Sequence, residues 1–265
     1  MSLYWRSADI TDPALRARTD ELQNGTAELR LAACEALLDS GDPVAAGIAA
    51  DSYFAACADE RWGIPNPFDD SAELLRAWAL ATLAEPPVTA TNDNGTVTTG
   101  ANHASALGVL ARAGHGADAG LIVPFLRVAD ANVLGTACMA ANHCLGSADW
   151  SVPVAAVVEA LEALALDPGH PAEVRGAAVS ALGSRDSEDS HETEDALVRI
   201  ALATDALIAA DAAWQLMHLD LAVYEALLRE RVAAWTGEDG WQLTAIRDTL
   251  ARLDTRRAEV ARLSR

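Results

Sequence analysis

Two Asn-His pairs, Asn102-His103 and Asn142-His143, are the residues whose types come closest to chemistry, and they stand 40 residues apart. Cys138 lies between them, and only two arginines, Arg112 and Arg127, fall in the stretch from Trp78 to Pro171. A polar cluster of Asn102, His103, Cys138, Asn142 and His143 in such apolar surroundings is either a small-molecule pocket or helix-to-helix hydrogen bonding that satisfies buried groups. His191-Glu192 is the one His-Glu dipeptide, and Glu192 reads as a first-turn acid favoured by the helix dipole. The four cysteines, Cys34, Cys57, Cys138 and Cys144, form no CxxC pair, and most sit among Ala and Leu as small hydrophobes do. All 19 basic residues are arginine, so Schiff-base chemistry and a phosphate-loop lysine are excluded. The sequence contains no Ser-His-Asp elbow, Gly-rich nucleotide loop or H-E-x-x-H helix. No catalytic residue, metal ligand or cofactor is assigned on these grounds.

The elements that must position these residues are repeated helices. Residues 27–43 read AELRLAACEALLDSGDP, residues 104–114 read ASALGVLARAG, and residues 172–184 read AEVRGAAVSALGS. Each is an Ala-rich helix with a Leu near its end, and that Leu recurs as Leu37, Leu83, Leu110, Leu145, Leu182, Leu216 and Leu250. The last five are separated by 35, 37, 34 and 34 residues, the length of two short helices and two loops. Alanines let neighbouring helices approach closely, while Leu, Val and Ile at helical spacing supply the buried stripe. Second helices are expected at Pro43–Ala58, Ala117–Val128, Val152–Leu166, Glu192–Thr204 and Leu219–Trp235, with a last helix from Trp241. The period breaks at DERWGIPNPFDD (59–70) and at EPPVTATNDNGTVTTG (85–100). In the second break, alternating Val88, Ala90 and Val97 flank Asn94-Gly95, which predicts a short β-hairpin with a tight type I′ turn, or an ordered loop, in place of a helix.

These segments resemble the HEAT-like α-solenoid family, in particular its short prokaryotic repeats, over residues 26–255. The resemblance implies an all-α, right-handed solenoid of about six or seven helical hairpins in a single domain. Residues 1–25 would form an N-terminal cap helix, 26–235 the repeats and 236–265 a C-terminal capping helix. It says little about activity. HEAT-like metal hydroxylases are similar in fold but use several His-Glu dipeptides, where this chain has one. HEAT-like DNA glycosylases use a basic groove with tryptophans beside a catalytic Asp. Trp78, Trp214 and Asp211 invite that comparison, but a net charge of −20 leaves phosphate affinity without a source. Bilin lyases share the repeat and nothing more specific.

Charge then sets the functional expectation. With 39 acids against 19 arginines, the chain points away from nucleic acid and anionic membranes and towards a basic protein or peptide. The absence of 18 consecutive uncharged apolar residues, and of a basic leader followed by an apolar run, predicts a cytoplasmic protein without a spanning helix. In HEAT arrays the second helices line the concave face, so the resemblance places Asp51, Glu159, Glu162, Asp195 and Glu225 there. The expected function is a non-enzymatic binding module, a scaffold, adaptor or immunity-like inhibitor, whose acidic concave surface takes a basic or helical partner. The alternative is a HEAT-like small-molecule-binding or modifying enzyme with its pocket near His103, Cys138 and His143, roofed by the 85–100 segment.

Overall fold

The computed structural model describes residues 2–59, 66–149, 151–184, 191–203, 205–235 and 240–263. Pro65 in the first break, the acidic stretch around Asp186, Glu188 and Asp189, and the side chain of Cys57 lie outside the described residues. The chain is 75% helical, with twelve helices and one two-stranded sheet among the described residues. It divides into two compact units, Met1–Ala148 and Asp149–Arg265.

In the first unit the order is α1 (Pro13–Asn24), α2 (Ala27–Leu38), α3 (Pro43–Asp59), α4 (Ala72–Thr82), β1 (Thr89–Thr91), β2 (Val97–Thr99), α5 (Ala101–Ala113), α6 (Ala119–Ile122) and α7 (Ala131–Gly146). Aspartates and a threonine start the helices. Asp12, Thr26, Asp42 and Asp130 each accept backbone N–H groups of the first turn, which have no partner within the helix. Pro43 follows its Asp42 cap, where its fixed φ suits a first turn. Every residue from Ala101 to Ala111 is buried, because α3, α4 and α7 all pack on α5. Small residues permit this: Gly108 lies against Phe54, whose ring would stand 3.4 Å from an added Cβ. The expected second helix over 117–128 is broken into α6 and the 3-10 segment Val123–Arg127, since Pro124 has no N–H to continue an α-helix.

The expected hairpin is present. β1 and β2 pair antiparallel with Thr89 opposite Thr99 and Thr91 opposite Val97. Its turn differs from the type I′ expectation. Type I′ needs positive φ at both central residues, whereas Gly95 alone has it, at +81°. Gly95 N–H donates to the Asn92 carbonyl, and the Asn92 side chain accepts from Asn94 and Thr96 N–H, so a longer loop closes the hairpin.

The second unit contains α8 (Ala155–Leu166), α9 (Ala172–Leu182), α10 (His191–Ala201), α11 (Ala206–Ala234) and α12 (Trp241–Leu263). Neighbouring helices pack on one another, and α8 also packs on α10 and α9 on α11. The separate helix expected at Leu219 appears as the second half of α11. The ladder breaks at Asp220 (φ −154°, ψ 96°), whose carboxylate accepts Ala222 and Val223 N–H and so starts the second half as a cap. By length and composition α11 is apolar enough to cross a membrane, with 39% of its most apolar window buried. The break at Asp220 divides it into halves shorter than the ~20 residues a span requires. Leu37, Leu110, Leu145, Leu182, Leu216 and Leu250 are buried and Leu83 is half-buried, so six of the seven repeating Leu positions are core.

The segment before α1 is bound down by its aromatic residues. The Trp5 indole is 2% exposed and donates Nε1–H to Ser105 Oγ at 2.9 Å. It occupies the space a side chain at Gly47 would need, since an added Cβ would overlap Trp5 Nε1. Gly47→Ala should therefore destabilise the first unit by ~1–3 kcal/mol, the usual range for overpacking. A lower urea midpoint together with red-shifted tryptophan emission would show the indole displaced.

Candidate functional site

Of the five carboxylates expected on one partner-binding face, Asp51 does not lie on a surface. It is 2% exposed on α3. Its Oδ2 accepts from Ser2 Oγ (2.5 Å), Leu3 N (2.7 Å) and Tyr4 N (3.1 Å), and its Oδ1 accepts from Ser105 Oγ (2.7 Å). Helical periodicity placed Asp51 on α3 but could not foresee that residues 2–5 would cover it. Burial raises its carboxyl above the ordinary range, while these four hydrogen bonds act in the opposite direction.

The other four lie in the second unit. Glu159 on α8 and Asp195 on α10 are exposed. Glu162, one turn beyond Glu159, takes a bidentate pair from Arg199 (Nε 2.6 Å, Nη2 2.7 Å), one turn beyond Asp195. That bridge joins the two packed helices, with Glu159 and Asp195 each one turn before a bridged residue. Further along, the Tyr224 hydroxyl donates to Glu194 at 3.0 Å, joining α10 to the second half of α11. Glu225 is internally neutralised. Arg257 holds both of its oxygens (2.6 and 2.7 Å) and Arg229 adds a bond at 2.9 Å, pulling its carboxyl down to about 2.

The five residues of the expected pocket do not converge. Helices α5 and α7 run side by side in the same direction, with Gly100 beside Val133 and Gly114 beside Cys144. His103 is therefore level with the first turn of α7, and Asn142 and His143 lie near the opposite end. The Leu spacing gave a register of 35, whereas these contacts are offset by only about 30 to 33, which carries Cys138 a turn past His103. Cys138 is 1% exposed, and burial pushes its thiol up to about 12, as for an unreactive core cysteine. His143 is half-buried and hydrogen-bonded to the Gly114 backbone, with burial lowering its affinity for a proton. Asn102 is a brace: its Oδ1 accepts Val88 N–H (2.8 Å) and its Nδ2 donates to the Pro86 carbonyl (3.0 Å).

Of the five, Asn102 borders a hollow of about 220 Å³ beside Trp78 and Glu85, and His103 lines a larger one. A groove of about 570 Å³ runs between the β-hairpin and the start of α7, walled by Pro87, Phe125, Val128 and Val133 and bordered by Asp130. From the 85–100 segment, Pro87, Thr99 and Gly100 at the base of the hairpin contribute to its lining. The role of Val123–Val128 was not visible in the sequence; reading 117–128 as one helix hid the Pro124 turn that brings Phe125 edge-on to His103 at 5.0 Å.

Trp214 and Asp211 serve in packing. Trp214 stacks edgewise on His218 (4.2 Å) and Trp241 (4.9 Å), and Asp211 accepts a hydrogen bond from Gln242 of α12. His191 and Glu192 are exposed in the first turn of α10. Among the described residues no group of three His, Cys, Asp or Glu side chains could hold a metal ion.

No family model and no curated protein matches the chain. Among solved structures it is similar to an engineered protein whose crystal structure came from a structural genomics consortium. The two are 17% identical over 92% of this chain and 98% of that one, with a TM-score of 0.42.

Two carboxylates should show opposite pH behaviour. Asp51, held above its unfolded value, binds its proton more tightly in the fold. Its contribution is complete below about pH 3.9 and is lost as pH rises through the folded value. The stability difference between wild type and Asp51→Asn should therefore shift against wild type between ~pH 4 and neutrality; a constant difference in urea titrations would contradict it. Glu225, held low, contributes above about pH 4.3 and loses that contribution as pH falls towards 2. Glu225→Gln should flatten the acid limb of the wild-type profile.

Proposed function

We propose that this protein is a non-enzymatic binding module built from short HEAT-like repeats, and that its second unit takes a basic protein or helical peptide. The observation that carries this reading is the pair of exposed carboxylates, Glu159 on α8 and Asp195 on α10, each one turn from the Arg199–Glu162 bridge that joins these packed helices. The next-but-one packing of α8 on α10 and α9 on α11 is the pattern of stacked helical hairpins, and it supports the solenoid reading for this unit. A chain at −20 cannot balance its acids internally, so the carboxylates without an arginine partner are left to attract one from elsewhere. Asp51 takes no part, and Glu225 is occupied by Arg229 and Arg257. A scaffold, adaptor or inhibitor of a basic protein in the cytoplasm would use such a face. The enzyme reading keeps one of its five pocket residues, His103.

Charge complementarity of this kind governs encounter rate and specificity, and salt screens it. An arginine-rich helical peptide titrated into the protein should bind at least ~tenfold more weakly at ~0.15 M than at ~0.02 M ionic strength. Glu159→Gln with Asp195→Asn should remove roughly fivefold of the low-salt affinity, as expected for two exposed charges. Binding that ignores both salt and the double variant would remove the acidic face from consideration.

A further inference from the structure

We propose that the groove beside the β-hairpin in the first unit binds an uncharged, ring-bearing small molecule through one hydrogen bond to His103 Nδ1. This is independent of the acidic face. His103 is 9% exposed, and its Nε2 lies 2.8 Å from the Glu85 carbonyl oxygen. A carbonyl only accepts, so Nε2 carries the hydrogen, and the tautomer this selects has Nδ1 as its acceptor. The ring cannot turn away from this arrangement without losing both that bond and its edge contact with Phe125. Among the described residues no donor engages Nδ1. The space before it is kept open by Gly100, which has φ +89°; a Cβ there would stand 3.6 Å from Nδ1, 3.4 Å from Val133 and 3.7 Å from Pro87.

The walls select the rest of the ligand. Pro87, Phe125, Val128 and Val133 present flat and branched apolar surface suited to a ring. Asp130 at the border disfavours an anion, as does the charge of the chain. Its carboxylate is already engaged: Oδ1 accepts from Asn132 and Val133 N–H, and Oδ2 from Thr99 N–H at 2.7 Å. A cation would have to compete with those three donors, so the fit is to a neutral molecule with a single N–H or O–H, of the indole or phenol type. A volume of about 570 Å³ lies inside the roughly 300–1,000 Å³ range of small-ligand sites.

Indole and 1-methylindole differ in that one N–H and serve as probes, with benzylamine as the cationic control, titrated into the full chain by calorimetry or NMR. Indole should bind ~fivefold or more tightly than 1-methylindole, because the methylated ring leaves Nδ1 unpaired. That preference should vanish in His103→Leu. Ala129→Trp, at the exposed edge of the groove, should abolish binding of both indoles with an unchanged far-UV spectrum. Equal affinity for the two indoles, tighter binding of benzylamine, or indifference to Ala129→Trp would each overturn the proposal. Should His103→Leu fail to fold, the wild-type probe pair and Ala129→Trp still decide it.

Discussion

Helix α5 has no solvent face, and the first unit is arranged around that constraint. Most of its residues are alanine, leucine, valine or glycine, so burial on all sides is favourable. Four are not. Arg112, half-buried in the last turn, lays its guanidinium over the Phe54 ring. Asn102, His103 and Ser105 carry polar groups into the interior, where each would be destabilising by ~1–3 kcal/mol if left without a partner. The partners come from outside the helix. Asn102 and His103 take the backbone of residues 85–88, and Ser105 takes Asp51 and the Trp5 indole. The hairpin and the segment before α1 are thus held by the same requirement, satisfaction of buried polar atoms on one helix. A hairpin with three-residue strands would not persist alone. Here it is anchored at its base by α5 and along β2 by Asp130 and Asn132 of α7.

The second unit answers a different constraint, an excess of acids with arginine as the sole cation to meet them. Arginine's planar fork suits paired carboxylate oxygens, and it is used that way between Arg199 and Glu162 and between Arg257 and Glu225. Both pairs join residues on different helices. The same geometry occurs in the first unit, where burial would raise the Asp118 carboxyl but two 2.8 Å bonds from Arg76, together with the His115 N–H, hold it below the ordinary range. Arginine here fastens helix to helix, and the acids left over, Glu159 and Asp195 among them, face solvent.

Periodicity made most of the helices legible. The recurring Leu marks core positions because a residue near the end of each helix must meet its neighbours whatever the detailed register. The hairpin was legible from Asn94-Gly95 and the alternating residues around it, although the loop is longer than that dipeptide alone implies. Of the site, the helices carrying Glu159, Glu162 and Asp195 were legible because α8 and α10 are regular. It failed at Asp51, because a carboxylate at helical spacing looks the same whether water or the first few residues of the chain lie over it. It failed again for Cys138, which a register shift of about one helical turn carries past His103; Asn142 and His143 lie further along α7 still.

Asn102-His103 looked like chemistry because polar residues on an apolar helix demand an explanation, and the structure supplies a different one for each. Asn102 uses both ends of its carboxamide on the backbone of the hairpin's entry and so serves as a brace. His103 has two ring nitrogens, and the carbonyl of Glu85 engages only one of them. The bond that holds the loop also decides which nitrogen carries the hydrogen, and so which remains able to accept. Structural and functional roles are therefore not alternatives at this position: anchoring the hairpin through Nε2 is what presents Nδ1, in a fixed orientation, to the groove beside the hairpin.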